Sequence, residues 1–540
     1  MKAIGVAICG VVSGAFWNGL AAAHDPAEDH SQHAAVLGDV NFPVSCTPEA
    51  QQKFNIAASL LHSFYWEKID GALVEVLAAD PDCAMAYWAK AVASLENPLG
   101  SPPTPELEKE GWAAVERAKQ LGGRTERERD YIAAVEVVFK DYGTVPFAKR
   151  AAAYEKALEQ NYLRYPDDSE AAIQYAYWLQ VTADRNDQTY SQQLKSGKIL
   201  EKIQPGQPNH PGVVHFIIHA YDFPAIASQG LDAARRYAAI APDSPHALHM
   251  PSHIFSRVGQ WQDSIDTNLR SHATATQDRD AYHAMDYMVY AYLQLARDAE
   301  ADKWVEFVNT APKPKEEARQ IAYASAAIPA RYALERGDWA AASQLTLLPA
   351  RERYDWSPFP EGESVNAYAR GLGAARSGNA AAAKAEIARL AGLRAAMVTQ
   401  KKDYWVKQAD IQVGAISAWI ARAEGRNDDA LKLMQETADL EDRTEEHIMM
   451  PGRVIPVREM LGELLLDLRQ PAAALAAFER SLRDDPNRFR NAYGAAVAAE
   501  RSGDPEKAAT HYRQVVALAG GNAAPRPELK AARAYLERQR

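Results

Sequence analysis

The chain has 540 residues, with 60 Lys and Arg against 71 Asp and Glu, a formal net charge of −11 and three cysteines. Hydrophobic residues make up 47% and charged residues 24%, a composition typical of soluble proteins and not of disordered chains. The acidic balance removes the electrostatic attraction on which non-specific nucleic-acid binding depends, so we expect no nucleic-acid partner. Beyond the first two dozen residues no uncharged apolar run approaches the length of a membrane-spanning helix.

Residues 1–23 have the pattern of an export signal. Lys2 gives a positive start, residues 3–20 are apolar and uncharged, and residues 21–23 are alanines suited to signal-peptidase cleavage. The alternative is a retained N-terminal anchor, which the glycines and polar residues within the apolar stretch disfavour. We therefore expect a periplasmic or secreted protein with no membrane span after signal removal.

Residues 24–45 are predicted to form a flexible leader. It combines three histidines, His24, His30 and His33, with three acidic residues. Copper or zinc binding is one interpretation of this composition. A solvated leader is the interpretation we favour, because nothing in the pattern fixes the geometry of the ligands.

Signal cleavage would leave Cys46 and Cys83 as the two thiols of an exported protein. An even number of cysteines in an oxidising compartment favours a disulfide between them. The alternative is two separately buried free cysteines.

Self-similarity at an interval of 34 residues predicts the fold. Adding 34 to the positions of Gly462, Ala474, Phe478 and Pro486 gives Ala496, Ala508, Tyr512 and Gly520. Small residues recur where two helices must approach closely, an aromatic residue recurs between them, and a helix breaker closes each unit. This pattern resembles the tetratricopeptide repeat, a helical hairpin of 34 residues.

We therefore predict an all-α, tetratricopeptide-type helical-hairpin solenoid over residues 46–540, with room for about a dozen helix pairs. Its best-formed repeats are expected at 455–520. Stacked hairpins curve into a superhelix with a concave groove, and this groove is expected to hold a protein or peptide partner, or a small-molecule substrate.

The histidines follow the same interval within residues 205–295. His215, His249 and His283 are spaced by 34 residues, and so are His219, His253 and Tyr287. Residues four apart share one face of a helix, and His246 lies one turn before His249 and two turns before His253. The resemblance to tetratricopeptide repeats implies that these helix faces line one concave cavity.

Imidazole is the commonest side-chain ligand of zinc, copper and non-haem iron, so the cluster predicts a transition-metal site whose ion the spacing does not identify. The candidate ligands are His215, His219, His246, His249, His253 and His283. Asp222 is a candidate ligand, or a residue that holds a ligand histidine, and Tyr287 and Tyr290 are candidate phenol donors. The alternative is a polar groove whose neutral histidines hydrogen-bond to a peptide or to each other.

Two further sequence features bear on the shape and lining of this cavity. Pro251 lies between His249 and His253, where it removes a backbone hydrogen bond and predicts a kink. His447, Glu459 and Glu463 would face the same cavity if the superhelix closes far enough, although an ordinary solvated helix face is the favoured interpretation.

Three segments, 45–99, 210–222 and 241–255, are similar to a group of bacterial exported tetratricopeptide proteins. The resemblance implies a fold and a location more than a reaction. For tetratricopeptide proteins in general it implies a protein- or peptide-binding scaffold. Their usual carboxylate clamps of Lys, Arg and Asn are replaced here by His, Asp and Tyr.

Two functions are consistent with the sequence. The first is an exported scaffold whose groove carries a His/Asp/Tyr cluster, with a transition metal as its cofactor. The second is a metal-dependent oxidoreductase or hydrolase that uses the same cluster, in which Asp222 and Tyr287 would be the catalytic candidates.

Overall fold

The computed structural model describes residues 35–521 and 526–539, which form 26 α-helices and contain no β-strand. The predicted export signal and His24, His30 and His33 lie outside the described residues. No helix among the described residues has both the length and the apolar character needed to cross a bilayer.

The helices of the first half of the chain are α1 (Pro48–His62), α2 (Trp66–Ala79), α3 (Ala84–Ala93), α4 (Pro105–Leu121), α5 (Glu126–Phe139), α6 (Phe147–Arg164), α7 (Ser169–Val181), α8 (Ser191–Ile203), α9 (Pro211–Tyr221), α10 (Leu231–Ile240), α11 (Pro245–His249) and α12 (Pro251–Arg257). The remaining helices are α13 (Trp261–Thr274), α14 (Asp278–Gln294), α15 (Asp298–Thr310), α16 (Arg319–Glu335), α17 (Trp339–Ser343), α18 (Pro360–Arg376), α19 (Ala380–Thr399), α20 (Asp403–Ala423), α21 (Asn427–Asp442), α22 (Val457–Asp467), α23 (Pro471–Asp484), α24 (Phe489–Ser502), α25 (Pro505–Ala519) and α26 (Pro527–Arg538).

Consecutive helices pack as hairpins, and alternate helices stack on each other. The alternate series α14, α16, α18 and α20 is in continuous contact, as are α1 with α3 and α7 with α9. This two-layer pattern confirms the predicted tetratricopeptide-type solenoid.

Phe478 shows why small residues recur in the repeats. A Cβ placed on Gly462 would lie 2.7 Å from the Phe478 ring, and one placed on Gly494 would lie 2.5 Å from it. Both distances are too short for real atoms, so only glycine lets α22 and α24 close around this ring. The aromatic residue fills the gap between helices, as the repeat pattern predicts.

The segment before α1 differs from the prediction. Residues 36–45 were expected to belong to a flexible leader, but Phe42 is fully buried against Phe54 and Trp88. The backbone N–H of Val36 donates to Asp243, and that of Asp39 donates to the carbonyl of Asn209. The leader was predicted from its polar start, whereas its later residues bury apolar side chains and so extend the helical unit to Val36.

Cys46 and Cys83 form a disulfide that joins the chain just before α1 to the residue that precedes α3. The cross-link lies at the edge of the first hairpin. It lies at the opposite end of α1 from His62, which is the last residue of that helix.

The segment between α21 and α22, residues 443–456, returns across the concave side of the solenoid, and we call it the closing segment. Its Glu445 accepts a hydrogen bond from the Tyr190 hydroxyl, and its Glu446 pairs with Arg257. The Gly452 carbonyl accepts from Arg331 at 2.9 Å. These contacts, over more than 100 residues of sequence, and one from the Tyr287 hydroxyl to the Ile448 carbonyl hold the closing segment across the groove against α12, α14 and α16.

Candidate metal centre

The histidine-bearing helices are α9, α11, α12 and α14, and a break between α11 and α12 positions two of them. Pro251 has no N–H to donate, and the helix restarts there after Met250. The carbonyl of His249 instead accepts from the Ser252 hydroxyl at 2.7 Å. The helix is therefore interrupted at the predicted position, with His249 before the break and His253 after it.

The first group of histidines consists of His215, His219 and His246, with one ring nitrogen of each within 4.8 Å of the others. Nδ1 of His215 lies 2.6 Å from the carbonyl oxygen of His62, so it carries the proton and donates. Its Nε2 then faces Nε2 of His246 at 3.1 Å. The Phe64 ring covers this group, 4.6 Å from the His215 ring.

The second group consists of His249, His253 and His283, again within 4.8 Å of one another. Nδ1 of His249 donates to Oδ1 of Asn268 at 2.7 Å. The amide of Asn268 donates to the Ser264 carbonyl, which fixes its oxygen as the acceptor. Nδ1 of His253 donates to Asp222 at 2.8 Å. Both rings are therefore oriented by hydrogen bonds at Nδ1, which we call the outer nitrogen. We call Nε2, on the other side of each ring, the inner nitrogen.

These hydrogen bonds create an unusual juxtaposition at the inner nitrogens. Nε2 of His249 and Nε2 of His253 lie 3.0 Å apart. A neutral imidazole has one N–H, and both rings use it at Nδ1, so two lone pairs face each other. That contact is repulsive unless a proton or a cation lies between the nitrogens.

Burial disfavours the proton. It lowers the pKa of His249 to about 4, although the hydrogen bond to Asn268 acts in the opposite direction. Burial also lowers the pKa of His253 well below its usual value, and His249 and Arg257 add to that effect. The pKa values of His215, His219, His246 and His283 are lowered by burial in the same way. All six imidazoles are therefore expected to be neutral at pH 7, which is the state that binds metals.

His219 is a member of the first group whose ring also neighbours the second group. Its ring is 4.7 Å from that of His215 and 6.4 Å from that of His253, centroid to centroid. Both of its nitrogens are buried and have no hydrogen-bond partner among the described residues. A buried polar group in that state costs on the order of 1–3 kcal/mol, which makes a ligand role chemically favourable.

Asp222 contacts the cluster from outside it. One of its carboxylate oxygens accepts from His253, and the other accepts from Nε of Arg257 at 3.1 Å. Burial raises the pKa of Asp222 to about 6, and the Arg257 guanidinium opposes that rise. Arg257 also pairs with Glu446 of the closing segment. Both oxygens of Asp222 are thus engaged in orienting His253 and in pairing with Arg257.

The two tyrosines predicted beside the cluster have different surroundings. The Tyr287 hydroxyl lies 3.3 and 3.4 Å from the two nitrogens of His253 and 3.5 Å from the Ile448 carbonyl. Burial raises its pKa well above the usual value. The expectation for Tyr290 was wrong, because its hydroxyl accepts from Arg488 at 2.8 Å and its ring packs on Trp261.

Other histidines lie outside the six. His62 and His210 are bridged by the buried carboxylate of Glu170, at 2.9 and 3.0 Å. His62 is thus a core histidine with a satisfied nitrogen, and its carbonyl orients His215. His272 packs on Trp304 away from the cluster.

A cavity of about 400 Å³ borders both groups. Four of the six histidines line it, His219 and His246 from the first group and His253 and His283 from the second. His447 also lines it, whereas Glu459 and Glu463 are paired with Arg488 and Arg490. The exposed residues Glu96, Ser101 and Pro102 form part of its wall, so it reaches the protein surface.

Sequence reasoning missed the residues that orient the histidines, namely Asn268, Arg257, Glu446, Phe64 and the His62 carbonyl. Arg257 follows His253 by four residues, a spacing that places both on one helix face and is a usable signal. The others lie on different repeats or in the closing segment, and no spacing rule connects them to the histidines.

No family model and no curated protein matches the chain. Among solved structures, the human IFIT1 dimer with m7Gppp-AAAA aligns at a TM-score of 0.40 and 11% identity, over 81% of this chain and 90% of that chain. The APC/C hetero-tetramer Cut9–Hcn1 gives 0.32 and 12%, over 91% and 83%. Yeast Tom70 gives 0.30 and 12%, over 91% and 90%. The assignment of this chain as a helical repeat protein therefore depends on its own helix packing.

Proposed function

We propose that this chain is an exported tetratricopeptide-like protein that binds a transition metal through its six-histidine cluster and presents it to a small molecule. The observation that carries the proposal is the 3.0 Å approach of the inner nitrogens of His249 and His253, each with its outer nitrogen donating to a protein acceptor. Two nitrogens bound about 2.0–2.1 Å from one ion, at an angle of about 90–110°, are about 2.9–3.4 Å apart.

The available donor atoms favour copper or zinc. Six neutral imidazoles form an all-nitrogen set, which suits both ions. The two-histidine, one-carboxylate set typical of oxygen-activating iron enzymes would need a free oxygen on Asp222. Both of its oxygens are engaged, one by His253 and one by Arg257. Outer hydrogen bonds of this kind orient ligand histidines in known metal sites and strengthen their basicity.

A small molecule fits the site better than a peptide does. The closing segment crosses the groove and contacts Arg257, Tyr287 and Arg331, where a peptide ligand of a tetratricopeptide protein would lie. What remains is a cavity of about 400 Å³, a size typical of small-molecule sites. This favours the metal-dependent function over simple peptide scaffolding.

Export is supported by two observations of different kinds. The pattern of residues 1–23 is that of a cleavable signal. The disulfide between Cys46 and Cys83 suits an oxidising compartment. A fusion of residues 1–45 to a reporter enzyme that is active only after export tests the localisation.

Metal binding is tested by elemental analysis of tag-free protein. We expect at least about one equivalent of copper or zinc per chain, and a rise in melting temperature when metal is restored to stripped protein. The variant His249→Ala should hold less metal than the unaltered protein, whereas His272→Ala, which lies outside the cluster, should hold the same amount. Less than about a tenth of an equivalent of any transition metal, with unchanged melting on metal addition, would overturn the proposal.

A further inference from the structure

We propose that the cluster is a dinuclear site, with one ion on each group of three histidines and a small bridging ligand in the cavity between them. This inference rests on the proposed function and goes beyond it in the number of ions and the class of ligand. Its starting observation is that the six histidines divide into two sets of three, each set having converging nitrogens.

Each set is complete as a ligand set. Three histidines with one open position is a known arrangement for a catalytic metal ion. In the first set His215 is fixed by the His62 carbonyl, and in the second set His249 and His253 are fixed by Asn268 and Asp222. Each set thus contains at least one imidazole whose inner nitrogen is a lone-pair donor.

The two sets are also close neighbours. His219 and His253 are 6.4 Å apart between ring centroids, and His246 and His249 are 6.5 Å apart. Ions in dinuclear sites are separated by about 3.5–4 Å, a distance that one bridging atom or a small ligand spans. Ligand rings on two such ions must themselves be neighbours, as these are.

Both sets open toward the same space. Each contributes two histidines to the cavity wall, while His215 and His249 are not part of that wall. A ligand in the cavity can therefore reach the open position of both ions at once. Neutral imidazoles bring no charge to offset two buried cations, so a small anion with oxygen or nitrogen donors is the ligand class that the site favours.

The test is metal titration of stripped, tag-free, full-length protein with Cu(II) alone, followed by elemental analysis and electron paramagnetic resonance. We expect about two equivalents of copper per chain. The magnetic signal of the fully loaded protein should be diminished or broadened by coupling between the ions. The double variant His215→Ala/His246→Ala and the single variant His249→Ala should each hold about one ion and show a sharp, uncoupled signal.

The outcomes separate the two proposals. Binding of about one equivalent by the unaltered protein, lost equally in variants of either group, would overturn the dinuclear site and leave the metal function standing. Binding of none would overturn both.

For the ligand, azide is the probe: we expect about one azide per pair of ions by calorimetry and none bound to stripped protein. One azide per ion, or equal binding to the one-ion variants, would overturn the bridge. His272→Ala is the control variant and should match the unaltered protein throughout.

Discussion

Nε2 of His249 and Nε2 of His253 face each other at 3.0 Å, while Nδ1 of His249 donates to Asn268 and Nδ1 of His253 donates to Asp222. The outer acceptors thereby determine which nitrogen of each ring is free. Pro251 breaks the helix between the two residues, so α11 and α12 can approach these acceptors from different directions. The result is a pair of lone pairs positioned for a cation within a buried site.

The first prediction concerns Asp222. In Asp222→Asn, the carboxylate that accepts from His253 and Arg257 is replaced by a neutral amide with one acceptor oxygen. Arg257 loses this anionic partner, and the preference of His253 for its present tautomer is weakened. We expect metal affinity to fall about 10–100-fold, as for other residues that orient ligand histidines. Competition with a chelator of known affinity measures the change. Asp266→Asn, an exposed change on α13, is the control and should leave affinity unaltered.

The second prediction concerns the close contact between Gly212 and His62. A Cβ at position 212 would lie 2.5 Å from Nδ1 and 2.7 Å from Cγ of the His62 ring. Gly212→Ala should therefore shift His62, whose carbonyl orients His215, and destabilise the fold by about 1–3 kcal/mol.

Melting and metal binding should both respond to Gly212→Ala, with the loss of affinity confined to the first group. Gly392→Ala in α19 is the matched control, because no atom outside the local backbone of its own helix lies within 4 Å of its added Cβ. That change should be neutral or slightly stabilising. Equal behaviour of the two variants would show that the contact with His62 is not needed.

The third prediction is a pH dependence at Glu463. Burial would raise the pKa of its carboxyl, but Arg490 and Arg376 lower it to about 2. Because the folded-state pKa is below the unfolded one, the stabilisation is present above about pH 4.3 and is lost as pH falls toward 2.

Glu463→Gln should lower stability at pH 7 by about 1–3 kcal/mol, since the hydrogen bond from Arg376 at 2.7 Å would lose its charged acceptor. Melting curves of both proteins between pH 7 and pH 3.5 provide the measurement. The difference between them should shrink below about pH 4.5. A difference that stays constant with pH would mean that the charge of Glu463 contributes nothing.

The fourth prediction concerns the disulfide. Cys46 and Cys83 are 37 residues apart, and removing a cross-link of that loop length costs about 2–4 kcal/mol. The double variant Cys46→Ser/Cys83→Ser should melt at a lower temperature yet keep its metal, because neither cysteine is near the histidines. Reductant should lower the melting temperature of the unaltered protein and have no effect on the variant.

The sequence predicts the fold and the six histidines for the same physical reason. A residue at a given position of one repeat has the same environment in the next, so His215, His249 and His283 reach equivalent places by their interval alone. The interval also brings Tyr287 beside His253. The expectation for Tyr290 was wrong because a side chain three positions further along a helix points about 60° away from the first. This difference directs Tyr290 toward Arg488.

The orienting contacts could not be predicted in this way. Glu446 reaches Arg257 only because the superhelix curves enough for the closing segment to cross the groove, and 189 residues separate the two. Asn268 lies on α13, where nothing in the local sequence distinguishes it from a core amide. The curvature sums small rotations over many repeats, and a sequence interval does not specify those rotations.

The most direct test of the metal site is a crystal structure of metal-loaded, tag-free protein with diffraction data collected at the absorption edge of copper or zinc. We expect an anomalous peak about 2.0–2.1 Å from Nε2 of both His249 and His253. A second peak is expected among His215, His219 and His246. Fully loaded crystals with no anomalous peak within bonding distance of any of these nitrogens would show that the histidine cluster does not bind the metal.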